Sequence, residues 1–434
     1  MRTNSIITLV AVAMVCMVGC GGSTTTTPHQ RPSVGSLVRA PRFVSSTGNF
    51  PSSIHASRAS SVTSSVSGTT SSSTAASPAS TPAHPALPSH LVRIDMVDSA
   101  DGWAIDGDNI LFTRNGPTEW RNVTPTGVGE EFGAPFFLGV SAWLFSNSRC
   151  AVYSTNNGGV NWIVSPPLIA ASSPSANLCA GPVQMSFATA SDGYLAVGPE
   201  AMQTPVVALY RTTNGGKTWS LVPGTPPITS VFAAAPQLLL GVSPDAGTPA
   251  SPPEGILWQS RNGGESWDIA PIPYPAQITA SSLGTIPVQV DGMVTSAGSV
   301  IIAMNLGRTL WLEEVGPTGQ WARIGPVLTM PASYGGVSVR FFSSTSDVVA
   351  FDVGNGAVFQ TTEDGAAWDA VSTTPALVGA YATFVSPTAG WAIASGALFA
   401  TSDRGETWTM LPYTITTQDT PVSASASSEE GCNC

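Results

Sequence analysis

An all-β fold built from repeats is what this sequence predicts, and three observations lead there. The first is an eight-residue turn, Thr401-Ser402-Asp403-Arg404-Gly405-Glu406-Thr407-Trp408, with copies at Thr155 to Trp162, Thr212 to Trp219, Ser260 to Trp267 and Thr361 to Trp368. The second is its pace. Together with Trp120 and Trp321, which follow eroded copies, the closing Trp residues stand 42, 57, 48, 54, 47 and 40 positions apart. The third is a short apolar run ahead of each turn, such as Gly102-Trp103-Ala104-Ile105, Gly193-Tyr194-Leu195-Ala196-Val197, Val348-Val349-Ala350-Phe351 and Gly390-Trp391-Ala392-Ile393. Seven units of about four short strands each make a single seven-bladed β-propeller of four-stranded antiparallel blades.

The turn has a physical logic. Asn and Asp tolerate left-handed backbone and bond nearby amides, and Gly supplies positive φ, so the central residues fold a hairpin. The Trp then opens the next strand, where its ring can wedge between neighbouring sheets; such burial is worth roughly 1.5–3 kcal/mol. The frame keeps a hydroxyl, a short polar residue two later, Gly and a final Trp: Thr155, Asn157, Gly159 and Trp162; Thr212, Asn214, Gly216 and Trp219; Ser260, Asn262, Gly264 and Trp267; Thr401, Asp403, Gly405 and Trp408. In the fifth copy Thr361, Gly365 and Trp368 hold the frame, with Glu363 at the Asn/Asp place. The pattern resembles the Asp-box, or bacterial neuraminidase repeat, S/T-x-D-x-G-x-T-W, and the resemblance implies a peripheral, structural role for these residues.

Along the chain, Arg2 precedes an apolar run from Ile6 to Val18, and Val18-Gly19-Cys20 closes it. Thirteen residues suit a signal peptide and fall short of a membrane span. The small residue before Cys20 resembles a bacterial lipoprotein signal, which implies removal of residues 1–19, lipidation of Cys20 as the membrane anchor, and export to the envelope. Residues 20–88 are rich in Ser, Thr, Pro and Ala and predict a disordered tether, since they cannot bury enough apolar surface to offset the entropy of ordering. This segment has four Arg and no acidic residue; beyond His90 the chain has eleven basic against twenty-seven acidic side chains, a formal balance of −16. So acidic a body argues against nucleic acid as partner.

The propeller is expected over 89–415, with its long insertions (Glu200 to Val206, Ser243 to Gly255, Pro271 to Gly284) as exposed loops and 416–434 as a flexible polar tail. Cys150 and Cys179 are spaced for a disulfide between the second unit and the start of the third, with free thiols as the alternative. Cys432 and Cys434 end the chain with no further ligands beside them, and no metal site or cofactor is assigned.

Several chemistries are excluded. Gly216-Lys217-Thr218 mimics the end of a phosphate loop, but Arg211 occupies the required earlier Gly position and the context is a hairpin. Nucleophilic triads and His/Cys zinc sites need an imidazole, and no His follows His90. Asp101, Asp106, Asp108 and Asn109 crowd one stretch but lack the bidentate Glu of a calcium loop. Glycoside hydrolysis stays open as the alternative, because it needs only a carboxylate pair and Asp192, Asp291, Asp347 and Asp352 are available. Sialidases share the repeat, yet Arg93-Ile94-Asp95 lacks the Pro of their Arg-Ile-Pro segment.

The frame Phe384 to Ala392 followed by Leu398 to Trp408, with a partial match over Met96 to Ala104, is similar to single-propeller proteins of the photosystem II assembly and stability factor type. That resemblance implies a binding or assembly scaffold without a catalytic residue. The basic binding patch of the family is not matched in this acidic body, so its partner is not carried over. A protein or glycan partner is expected, of unread identity.

Overall fold

The computed structural model describes residues 90–427, apart from 129–131, 134, 169–178, 180–182, 199–207, 229, 243–256, 271, 273–274, 277–288, 296–298, 307, 317–318, 332–336, 343–346, 363–366 and 417–421. The expected signal peptide, Cys20, the tether, Gly365, Cys432 and Cys434 lie outside these residues, as do nearly all of the long insertions.

Seven antiparallel sheets follow one another in chain order. The first holds β1 (Leu91–Met96), β2 (Gly102–Asp106), β3 (Asn109–Thr113) and β4 (Glu119–Asn122), and the second β5 (Phe136–Leu138), β6 (Ser141–Ser146), β7 (Ala151–Thr155) and β8 (Trp162–Val164). The third holds β9 (Val183–Phe187), β10 (Gly193–Val197), β11 (Ala208–Thr212) and β12 (Ser220–Val222); the fourth holds β13 (Ser230–Ala235), β14 (Leu238–Val242), β15 (Leu257–Ser260) and β16 (Asp268–Ile269). The fifth is β17 (Gln289–Val294), β18 (Val300–Leu306), β19 (Thr309–Val315) and β20 (Trp321–Thr329); the sixth is β21 (Val337–Phe341), β22 (Val348–Asp352), β23 (Ala357–Thr362) and β24 (Ala367–Thr373). The last is β25 (Tyr381–Phe384), β26 (Gly390–Ala394), β27 (Ala397–Thr401) and β28 (Thr409–Leu411), after which β29 (Thr414–Thr416) and β30 (Ala424–Ala426) end the described chain.

Seven separate apolar cores, one between each pair of neighbouring blades, close these sheets into a ring. The second strand of each blade faces a neighbour on both sides, so β6, β10, β18, β22 and β26 are buried along their whole length. This is why they read as continuous apolar runs rather than alternating ones. Outer strands face water: every residue of β16 is exposed.

The turns show what their residues do. Thr155, Thr212, Ser260 and Thr401 each accept the amide of the Gly four residues on, at 2.8–3.2 Å, and Asn157, Asn214, Asn262 and Asp403 accept the amide four further on, at 2.9–3.0 Å. That Gly has φ of +76° to +94° and also nestles on the preceding blade. A Cβ on Gly159 would come 2.5 Å from Val123, and one on Gly264 2.8 Å from Val222. The indoles divide into two groups. Trp219, Trp267 and Trp408 donate to the Gly carbonyl of their own turn and stay partly exposed, whereas Trp162 is buried and donates to Val123 of blade 1. Thr361 instead accepts the Val348 amide at 2.7 Å, and Trp368 donates to Pro326 of blade 5. Cys150 and Cys179 form a disulfide beside the core between blades 2 and 3.

One expectation is corrected. After β29, which adds in parallel to the outer edge of β4, the segment from 416 onward is not a loose tail throughout, because β30 adds in parallel to β8. Val422 packs into the core between blades 1 and 2 and accepts the Thr126 amide. Two unpaired edges offer ladder partners to a segment rich in Ser, Thr and Ala, and Ile415 and Val422 are the isolated apolar side chains it packs inward. Among the described residues no strand is exchanged between blades 7 and 1, so this strap, with Leu91, Ile94 and Met96 packed on Trp391, Ile393 and Leu398, closes the ring at its seam.

Candidate functional site at the ring axis

The innermost strands are β1, β5, β9, β13, β17, β21 and β25. In all seven the register aligns the last residue, since Met96, Leu138, Phe187, Ala235, Val294, Phe341 and Phe384 each pair with the first residue of the second strand. One step back from that level stand Asp95, Ser186, Met293, Arg340 and Thr383; three steps back stand Arg93, Gln184, Asp291, Ser338 and Tyr381. Because side chains alternate along a strand, these two tiers share one face.

Ion pairing shows where that face points. Arg340 Nη2 of blade 6 meets Asp95 Oδ1 of blade 1 at 2.9 Å, with blade 7 lying between those two blades in the ring, so the bond runs through the axis. Arg93 Nη2 takes the other oxygen, Oδ2, at 2.9 Å, and its guanidinium lies 5.5 Å from the centre of the Phe137 ring of blade 2. A buried carboxylate needs such full pairing, because desolvation alone would neutralise it. Elsewhere around the axis the strands are stitched by polar side chains. Gln184 accepts the Val231 amide, Ser186 the Ala233 amide, and Ser338 donates to the Ala382 carbonyl.

Asp291 joins this cluster through Arg340. Burial pushes its carboxyl up to about 7, the Arg340 charge opposing the shift, although the residue keeps partial exposure to the channel. Burial also raises Tyr381, against the pull of Arg93. Among the described residues three polar atoms at the axis have no hydrogen-bond partner: Arg93 Nη1, Thr383 Oγ1 and Gln184 Nε2. Arg93 is 4% exposed and Thr383 0%, so these are buried polar groups left without the partner that burial normally demands.

The acids singled out in the sequence do not assemble. Asp192 accepts the Thr189 and Ser191 hydroxyls before β10, and Asp352 accepts the Gly354 amide at the end of β22. Asp347 precedes β22, leaving Asp291 alone of the four at the axis. Of the crowded stretch, Asp106 accepts the His90 amide and Asn109 Oδ1 accepts the Asn122 side-chain amide, so these two are engaged locally. Among the described residues no group of three His, Cys, Asp or Glu side chains is placed to hold a metal ion. Sequence reasoning passed over Arg93, Asp95, Arg340 and Thr383 as a site. A signal existed in Leu91-Val92-Arg93-Ile94-Asp95-Met96, where two opposite charges two apart must share one face of an otherwise apolar strand.

No protein-family model matches the chain, and no curated protein matches it. Among solved structures it is similar to YCF48 bound to D1 peptide, at 16% identity over 73% of this chain and 94% of that one, with a TM-score of 0.45. It is similar as well to YCF48 from Cyanidioschyzon merolae, at 17% identity over 75% of this chain and 87% of that one, with a TM-score of 0.38. A GH74 xyloglucanase from Xanthomonas campestris matches at 13% identity over 73% of this chain and 52% of that one, with a TM-score of 0.42. At such values the ring is established by its own seven sheets and their register.

Proposed function

We propose that the chain is a non-catalytic binding or assembly scaffold that presents the axis of its ring to a protein or glycan partner. In this reading the turns are Asp-boxes that hold the rim, and the chain is exported and held to the bacterial envelope through lipidated Cys20 and the tether over 20–88. The observation that carries it is the axial cluster, where buried donors on Arg93, Gln184 and Thr383 stand unpartnered on strands fixed by the ring. Rigid elements with spare polar groups are suited to recognition. Asp95, which shares the influence of Arg340 with Asp291, is committed to two guanidiniums, which suits a binding site better than an acid or a nucleophile.

The test is capture from envelope extract by the full chain, compared with an Arg340→Gln variant of matched circular dichroism. A partner held by the wild type and lost by the variant supports the reading. Hydrolysis of a polysaccharide by the wild type, lost in Asp95→Asn, overturns it in favour of a glycoside hydrolase. Anchoring is tested separately by labelled fatty acid, which should mark the wild type and not Cys20→Ala.

A further inference from the structure

We propose that the axial cluster is a pocket for a single carboxylate group, supplied by an acidic side chain on an otherwise uncharged or basic peptide segment of the partner. The inference rests on the scaffold reading and names the chemistry of its site.

Three features of the cluster select this ligand. The guanidiniums of Arg93 and Arg340 share one structural carboxylate, Asp95, each giving it a single nitrogen, so planar donor capacity is left over at both. The spare Nη1 of Arg93 is buried, and the spare Oγ1 of Thr383 lies on a strand that contacts β1 directly. An Arg nitrogen and a hydroxyl carried on neighbouring strands offer one donor to each oxygen of a carboxylate, and leaving them unpaired costs more than pairing them. Access is available from the channel side, where the Arg340 side chain is 14% exposed and Asp291 and Tyr381 are partly exposed. Asp291, whose carboxyl burial pushes up to about 7, is largely uncharged below that pH and then does not compete as an anion for the donors of Arg340 that Asp95 leaves unused.

Charge decides what bears the carboxylate. The body beyond His90 carries a formal −16, so a polyuronate or another polyanion would be repelled over its length while gaining one favourable contact. A lone acid flanked by neutral or basic residues gains the contact and meets attraction around it.

The experiment is a calorimetric titration of the full chain with N-acetyl-aspartate amide, N-acetyl-glutamate amide, the matching asparagine amide and oligogalacturonate. An acid amide should bind at least tenfold more tightly than the asparagine amide, and Arg93→Gln should abolish that preference. Thr383→Val, which exchanges an unpartnered buried hydroxyl for a methyl of the same shape, should weaken the acid about three- to tenfold without lowering the melting temperature, so the test survives if Arg93→Gln fails to fold. Equal binding of acid and amide forms, or wild-type affinity in Thr383→Val, overturns the proposal. Preferential binding of oligogalacturonate overturns the peptide assignment. If a captured partner stays bound in saturating acid amide, the pocket falls and the scaffold stands. If the acid amide binds while no partner is ever captured, the scaffold falls and the pocket stands.

Discussion

The rim and the axis of this ring are made by opposite means. At the rim one short turn is repeated, and three of its copies satisfy both hydroxyl and indole locally. The hydroxyl of Thr212, the amide of Gly216 and the indole of Trp219 lie within eight residues, as their equivalents do around Gly264 and Gly405. At the axis nothing is repeated, and the decisive bond joins Arg340 to Asp95 across 245 positions. The difference teaches that repetition maintains the fold while individuality marks the place where a partner can be told apart.

The comparison is broken most sharply at Asp95. Replacing it with Ala leaves Arg93 buried without its counter-charge and should cost about 3–5 kcal/mol, read as a lowered denaturant midpoint. Next comes the rim. Gly159→Ala puts a Cβ 2.5 Å from Val123 at a φ of +76°, and should cost about 2–4 kcal/mol from left-handed strain and overpacking together. A local turn that tolerated this change would refute the close approach between blades.

Acidity probes the two regions differently. Burial pushes Asp291 at the axis and Glu313 between blades 4 and 5 up to about 7, in each case against a neighbouring Arg. The folded chain therefore keeps two protons that the unfolded chain has released above pH 4. Stability should fall as the pH rises from about 4 to 7 and level off beyond, by a total on the order of 1–3 kcal/mol given that Asp291 retains some solvent. Denaturant midpoints between pH 5 and 8 check this, and the Asp291→Asn/Glu313→Gln double variant should flatten the curve. The smallest effect is expected at Arg404, a left-handed residue with φ of +71° where three other turns have Gly. Arg404→Gly relieves about 1 kcal/mol of strain but forfeits the 2.8 Å bond to Gln360, so the net change should stay within about 1 kcal/mol of zero.

Much of the fold was legible because the rim writes itself into consecutive residues. Seven Trp residues at blade spacing, and apolar runs such as Val348-Val349-Ala350-Phe351 for strands buried on both faces, carry the ring in plain view. The strap was not legible, since Thr414-Ile415-Thr416 and Ala424-Ser425-Ala426 pair through their backbones and display no apolar period. The axial site was legible only in hindsight. Arg93 and Asp95 reveal themselves as a charged pair in an apolar strand, but Arg340 sits in the ordinary alternation of Val337-Ser338-Val339-Arg340-Phe341, and only ring closure brings it to Asp95. Thr383 carries no signal at all until its hydroxyl is seen buried and unpartnered.

The central claim, that binding resides at the axis and the rim serves structure, is tested most directly by one equilibrium measurement on two variants. The affinity of a captured partner should fall at least tenfold for Arg340→Gln at the axis and stay within twofold for Lys217→Gln, an exposed residue of a rim turn. A loss of affinity in Lys217→Gln with none in Arg340→Gln would contradict it.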